Sequence, residues 1–206
     1  MYAASFNRLK GYVSSRLLEK IVQTSTSGDE GKLVDLFELL SKLSPARYYK
    51  ESFHDLARMA REDHPATRVF KRIFTDLHPN CRRKAISNFF VNFLLVGRDV
   101  RDRKEAELGV HLPNFMVISP TMRCNLRCKG CYAAGYSKED DMPSEIIDRL
   151  IGEAKELGMY FFTFSGGECF VRPDLVDLWK KHDDCYFQVY TNGTLLDDAT
   201  VGRLAK

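Results

Sequence analysis

The sequence has no apolar run long enough to cross a bilayer. Its densest, Phe89 to Val96, falls far short of the ~20 residues a spanning helix needs and reads as a buried or interfacial helix. No secretory leader is expected either, because Met1–Lys20 lacks an apolar h-region and sets Arg8, Lys10, Arg16 and Lys20 among apolar residues at helical spacing. The expected compartment is the cytoplasm. None of the five histidines, at 54, 64, 78, 111 and 182, pairs with another at the i, i+4 spacing of a helical metal site, so they read mostly as surface or capping residues. Nor do the six cysteines suggest a disulfide framework. Three fall within eight residues and point to metal or redox chemistry, while Cys81, Cys169 and Cys185 are scattered.

What is present is a chain of 206 residues, 44% hydrophobic and 29% charged, the balance of a soluble globular protein of one or two domains. Its net charge of +3 is unevenly spread: residues 1–110 carry 20 Lys+Arg against 14 Asp+Glu, and residues 111–206 carry 11 against 14. The basic half fits either a solvated face or an anionic surface such as RNA, phospholipid or an acidic partner.

Residues 1 to about 105 read as helical throughout, with Leu33, Leu36, Phe37, Leu39, Leu40 and Leu43 recurring at three- and four-residue steps. Breaks at Ser25–Gly31, Ser44–Pro45, His64–Pro65 and His78–Pro79 divide this part into five short helices. Phe89, Phe90 and Phe93 suit a core helix, or else a face that docks a lipid or partner helix. Arg98–Glu107, followed by Gly109 and Pro113, predicts an exposed helix end and connector, so the domains are drawn as 1–110 and 111–206.

Beyond Phe115 the pattern changes. Short β-branched and aromatic runs, Phe115–Ser119, Tyr160–Phe164 and Tyr186–Tyr190, alternate with amphipathic segments and predict a βαβαβ α/β unit. One helix opens at Pro143, lines up Ile146, Ile147, Leu150, Ile151, Ala154 and Leu157, and stops at Gly158. A second begins at Pro173–Asp174 and buries Leu175, Val176, Leu178 and Trp179, and a third begins near Leu196–Asp198. Three parallel strands cannot be covered on both faces unaided, so more of the sheet is expected beyond Lys206.

The chemistry concentrates at Cys124, Cys128 and Cys131, a C-x3-C-x2-C cluster directly after the first predicted strand. Active sites of barrels and open α/β sheets gather at such carboxyl ends. Three thiolates can hold three irons of a cubane cluster and leave the fourth without a protein ligand, as three-ligand zinc sites keep one position for chemistry. The competing zinc reading takes its fourth ligand from Cys169, Cys185 or His182. An electron-transfer ferredoxin fits less well, because its cysteine run is C-x2-C-x2-C-x3-C with a fourth ligand.

This spacing and placement resemble the radical SAM superfamily. Ser165-Gly166-Gly167-Glu168 after the second strand resembles its glycine-glycine-glutamate motif, and Tyr190-Thr191-Asn192-Gly193 after the third is similar to tips found near its cofactor. The resemblance implies the opening βα units of a partial (β/α)6 barrel, a 4Fe-4S cluster on Cys124, Cys128 and Cys131, and S-adenosylmethionine on the open iron. It also implies cofactor contacts from Tyr132, Ser165, Gly166, Gly167, Glu168, Thr191 and Asn192, with the glycines letting backbone approach a ligand and Glu168 or nearby backbone accepting from the methionine ammonium. The implied reaction is reductive cleavage to a 5′-deoxyadenosyl radical that abstracts hydrogen from substrate, with the cofactor carrying the hard chemistry. Implied partners are an electron donor such as flavodoxin or ferredoxin and a substrate for which a peptide and a lipid are both candidates.

Two positions depart from the family's pattern: Gly130 stands where an aromatic often packs on adenine, with Tyr132 next along, and Cys169 stands where proline is frequent. Arg123, Arg127 and Lys129 flank the cysteines, either tuning the cluster potential or simply solvated. The helical first half is read as a cap over the barrel mouth or a dock. The alternative to the enzyme is a scaffold whose zinc or iron–sulfur group is structural.

Overall fold

The computed structural model describes residues 31–43, 47–136 and 141–205. The predicted helix within Met1–Lys20 and the break at Ser44–Pro45 lie outside these residues, as does most of the break at Ser25–Gly31. The chain divides into two compact units, Met1–Asp99 and Val100–Lys206.

The described part of the first unit is helical: α1 (Gly31–Leu43), α2 (Arg47–Arg61), α3 (Arg68–Thr75) and α4 (Pro79–Lys84). Proline and histidine set its internal boundaries together. Pro65 and Pro79 each open a helical turn, where a missing N–H costs nothing. The preceding His64 and His78 accept through Nδ1 from the backbone N–H groups of Ala66 and Asn80, at 3.2 and 3.3 Å. Two of the dispersed histidines are therefore caps. From α4 the chain runs through π-helical turns over Ala85–Val96 into α5 (Gly97–Leu108), and the Gly97 N–H donates to the Asn92 carbonyl. Leu33, Leu36, Phe37 and Leu40 are buried as their spacing predicts, and they pack with Phe53, Ile86 and Phe90. Phe90 meets Phe37 edge-on at 6.2 Å, so the aromatic run serves this core. Among the described residues no helix is long and apolar enough to cross a membrane.

One expectation is overturned where α5 enters the second unit. Arg98–Glu107 is not simply an exposed connector: Arg101 is 1% exposed and its guanidinium donates to the Gly158 carbonyl at 2.5 Å. A buried charge is tolerated where polar partners replace water, a circumstance the local charge pattern does not reveal.

The second unit holds three parallel strands in the order β1-β2-β3: β1 (Met116–Thr121), β2 (Phe161–Gly166) and β3 (Tyr186–Val189). Their joining helices, α6 (Ser144–Glu156) and α7 (Asp174–Lys181), bury Ile147, Ile151, Leu175, Val176 and Trp179 with Phe162 and Phe164. Each fully buried phenylalanine contributes about 1.5–3 kcal/mol. Gly158, at φ +84°, ends α6 in the left-handed conformation that favours glycine. A last helix, α8 (Asp198–Leu204), is capped by the Asp197 carboxylate, which accepts from the Thr200 N–H. β1 pairs regularly with β2 as far as Ile118↔Phe164, then shifts register before Thr121↔Gly166. Pro120, with no N–H to give the ladder, lies within that shift. The carboxyl ends of all three strands thus sit together, and the cysteine loop leaves from the first.

Candidate metal and cofactor site

The loop begins where Thr121, 1% exposed, accepts from the Arg123 N–H at 3.0 Å. Cys124 is half-buried, whereas Cys128 and Cys131 are exposed. The chain reverses between the last two: the Cys131 N–H reaches the Cys128 carbonyl at 3.3 Å, and Gly130 takes φ +78°. An aromatic would adopt that conformation only under strain, which accounts for glycine at this position. Among the described residues no three His, Cys, Asp or Glu side chains converge at metal-binding range, so the three thiols share one loop without meeting at one point.

The Gly166-Gly167 pair has a role the sequence reading did not assign. The glycines were expected to let backbone approach a ligand, and in the structure they let two strand tips approach each other. A Cβ at Gly167 would strike the Arg123 carbonyl, and one at Gly166, whose φ is +111°, would strike that of Thr121. Through this contact the Gly167 N–H donates to the Thr121 carbonyl at 2.9 Å and the Glu168 N–H to the Arg123 carbonyl at 2.8 Å. The motif thereby grips the chain one residue ahead of Cys124.

Glu168 also acts on the chain itself. It is 1% exposed, and its carboxylate accepts from the Phe170 N–H at 2.9 Å, the Thr191 hydroxyl at 2.9 Å and the Asn192 N–H at 2.8 Å. The carboxylate expected to accept from the methionine ammonium thus clamps the tips of β2 and β3 together in this structure. Thr191 and Asn192 present exposed surface at this tip. The Asn192 amide donates to Cys124 Sγ at 3.7 Å and to Asn125 Oδ1 at 3.0 Å.

Tyr132 is 64% exposed and spans from the cysteine loop to the end of β2. Its hydroxyl lies 3.0 Å from Ser165 Oγ, accepts from the Gly166 N–H at 3.0 Å and donates to the Gly166 carbonyl at 3.3 Å. The aromatic, the serine and the first glycine therefore meet in one polar corner.

Two arginines frame the loop, Arg123, which the sequence marks as flanking the cysteines, and Arg172, which sequence reasoning missed. Arg123 forms a bidentate pair with Asp141, whose carboxyl is held below its ordinary range chiefly by that hydrogen bond. Arg172, 7% exposed, donates to the carbonyls of Pro120 at 3.1 Å and Met142 at 2.5 Å, to Ser144 Oγ at 2.8 Å and to Asp174 at 2.6 Å. It fastens the end of β1 to the start of α6. Arg172→Met strips donors from carbonyls that water reaches poorly, and is expected to lower unfolding stability by about 2–4 kcal/mol in denaturant melts. A loss below the error of such melts would refute the clamp.

The cysteines fall into two chemical groups. Cys169 and Cys185 are buried, and burial pushes the Cys169 thiol up to about 12 and raises Cys185 as well, so both stay protonated. Cys124 instead receives N–H donors, from Leu126 at 3.4 Å and from Asn192. The fourth zinc ligands weighed from sequence are engaged elsewhere. His182 Nε2 lies 2.8 Å from the Asp148 carboxylate, Cys169 donates to the Ser165 carbonyl, and His182 and Cys185 precede β3, at the end of the sheet opposite the cysteine loop. Three accessible thiols on a strand-tip loop are a donor set that fits an iron–sulfur cluster with one iron free of protein.

Residues 118–206 match the Radical SAM superfamily. A probable GTP 3',8-cyclase of Methanothermobacter marburgensis is 38% identical over 88 residues, which is 41% of this chain and 29% of that protein. A PqqA peptide cyclase of Granulibacter bethesdensis is 35% identical over 102 residues, 46% of this chain and 26% of that protein. The chain thus spans less than a third of these relatives' length. Streptococcus suis SuiB, solved bound to S-adenosylmethionine, superposes with TM-score 0.44 at 20% identity over 75% of this chain and 35% of that one.

Proposed function

We propose, from the match of residues 118–206 to the Radical SAM superfamily, that Cys124, Cys128 and Cys131 hold a 4Fe-4S cluster and that the corner formed by Tyr132, Ser165 and Gly166 receives S-adenosylmethionine beside it. When bound, such a cluster supplies the electron that splits the sulfonium into methionine and a 5′-deoxyadenosyl radical able to take hydrogen from a substrate. The observation that carries this reading is that the three thiols follow the carboxyl end of β1, with Gly167 and Glu168 after β2 and Asn192 after β3 all bonded to the end of β1 or to the loop that leaves it.

The residues divide the work. Glu168 and Gly167 hold the strand tips in register, Asn192 faces the sulfur of Cys124, and Ser165 and Gly166 present hydroxyl and backbone groups suited to an amino acid's ammonium and carboxylate. Exposure of Cys128 and Cys131 leaves the cluster position open to an electron donor such as a flavodoxin or ferredoxin.

The test is anaerobic reconstitution with iron and sulfide, followed by electron paramagnetic resonance of the reduced protein with and without S-adenosylmethionine. A cluster spectrum that changes on addition is the expected result. Tight zinc binding with no iron uptake would overturn the reading in favour of a structural metal.

A further inference from the structure

The cysteine loop follows β1, whereas Asn192 and Thr194 follow β3, and these strands are not neighbours because β2 lies between them. One side chain bridges the gap. Asn125 donates through Nδ2 to Thr194 Oγ1 at 2.7 Å and accepts through Oδ1 from Asn192 Nδ2 at 3.0 Å. Both ends of its amide are used across a sequence separation of 67 and 69 residues.

The polarity of this chain of bonds follows from a backbone group. The Thr194 N–H can only donate, and it donates to Asn192 Oδ1 at 2.9 Å, which makes the other end of that amide the nitrogen. The Thr194 hydroxyl also donates to Asn192 Oδ1, at 2.7 Å, so it is left to accept from Asn125 Nδ2. Asn125 Oδ1 is then turned toward Asn192 Nδ2, and Asn192 Nδ2 toward Cys124 Sγ. Every choice of donor and acceptor leads to the same result, an N–H directed at the sulfur. Cys124 Sγ also lies 4.0 Å from Asn125 Oδ1, a contact that requires a thiol proton and ends once the sulfur binds metal, whereas the N–H donor remains.

We propose that Asn125 is a positioning residue which, with Thr194, aims the Asn192 amide at Cys124 and so raises the electron affinity of the cluster bound there. This rests on the cluster reading above. An N–H···S bond stabilises the reduced, more electron-rich state more than the oxidised one, and hydrogen bonds to the sulfurs are among the protein's means of setting such potentials. Asn125 touches neither substrate nor cofactor in this role, and its effect passes through Asn192.

The experiment uses reconstituted wild-type chain, Asn125→Ala, Thr194→Val, Thr194→Ser and the Asn125→Ala/Thr194→Val double variant. Midpoint potential is read by redox titration followed by electron paramagnetic resonance, and cluster retention by loss of visible absorption to a chelator. Asn125→Ala is expected to shift the potential to a more negative value and to lose its cluster up to about tenfold faster, the effect of one hydrogen bond. Thr194→Val shifts both in the same direction, Thr194→Ser matches wild type, and the double variant is no worse than Asn125→Ala. Wild-type potential and retention in Asn125→Ala, or shifts that add in the double variant, overturn the relay. If Asn125→Ala does not fold, the Thr194→Val and Thr194→Ser pair decides the matter on the same two readouts. A wild-type chain that takes up no cluster removes the cluster reading and this inference with it. A wild type that loads normally beside indifferent variants removes this inference alone.

Discussion

Gly167→Ala is expected to cost about 3–5 kcal/mol of stability and most of the chain's capacity to hold iron. The new Cβ would meet the carbonyl of Arg123 and the carbonyl carbons of Met122 and Arg123, backbone atoms that cannot rotate aside. Forced overpacking of this kind costs about 1–3 kcal/mol. Separating the tips also breaks the bonds from the Gly167 and Glu168 N–H groups to the Thr121 and Arg123 carbonyls, at about 1 kcal/mol each. The sum is a large part of the ~5–15 kcal/mol that keeps a domain folded. Gly152 in α6 is the control, since a Cβ there meets nothing within 4 Å and alanine should stabilise the helix by about 0.5–1 kcal/mol. Thermal melts and iron analysis of the two variants give the comparison. A Gly167→Ala protein that melts with wild type and retains full iron would disprove the contact.

Cys128→Ala is expected to reduce iron and sulfide per chain to background after anaerobic reconstitution. Two thiolates remain, too few to hold a cubane that already lacks a fourth protein ligand. Cys128 is exposed, so removing it opens no cavity, and loss of iron with an unchanged melt would locate the defect in ligation. Cys81, in α4 of the first unit, supplies the control: Cys81→Ala should load as wild type does. Equal iron in both variants would argue against the ligand assignment.

The strands were legible because their residues are β-branched or aromatic and are bounded by breakers. β2 and β3 lie within two residues of the runs Tyr160–Phe164 and Tyr186–Tyr190. α6 was legible because Ile147, Ile151 and Ala154 repeat at helical spacing, and all three are buried. Glu168 shows where local reading stops. Its motif marked it as a site residue, but whether a carboxylate faces a ligand or the chain depends on which N–H groups the fold brings near, and here those belong to Phe170, Thr191 and Asn192. Arg101 and Arg172 were read past for a related reason, because a lone arginine looks solvated until its distant carbonyl partners are known. Asn125 and Asn192 each stood inside a quoted motif. The available clue was that both occupy strand tips at one end of a parallel sheet, where polar side chains from different loops meet.

The unequal exposure of the three cysteines has a kinetic consequence. Cys124 is fixed by Leu126, Asn192 and the grip on Arg123, while Cys128 and Cys131 lie four and seven residues further along on exposed loop. A metal captured at Cys124 therefore meets its other ligands by closing a very short tether, and even a ten-residue loop closes in about 10–100 ns. Ligand gathering on that scale is far faster than diffusion of iron or sulfide at micromolar concentration. Assembly of the proposed centre is then expected to follow the supply of its inorganic parts rather than the gathering of its ligands.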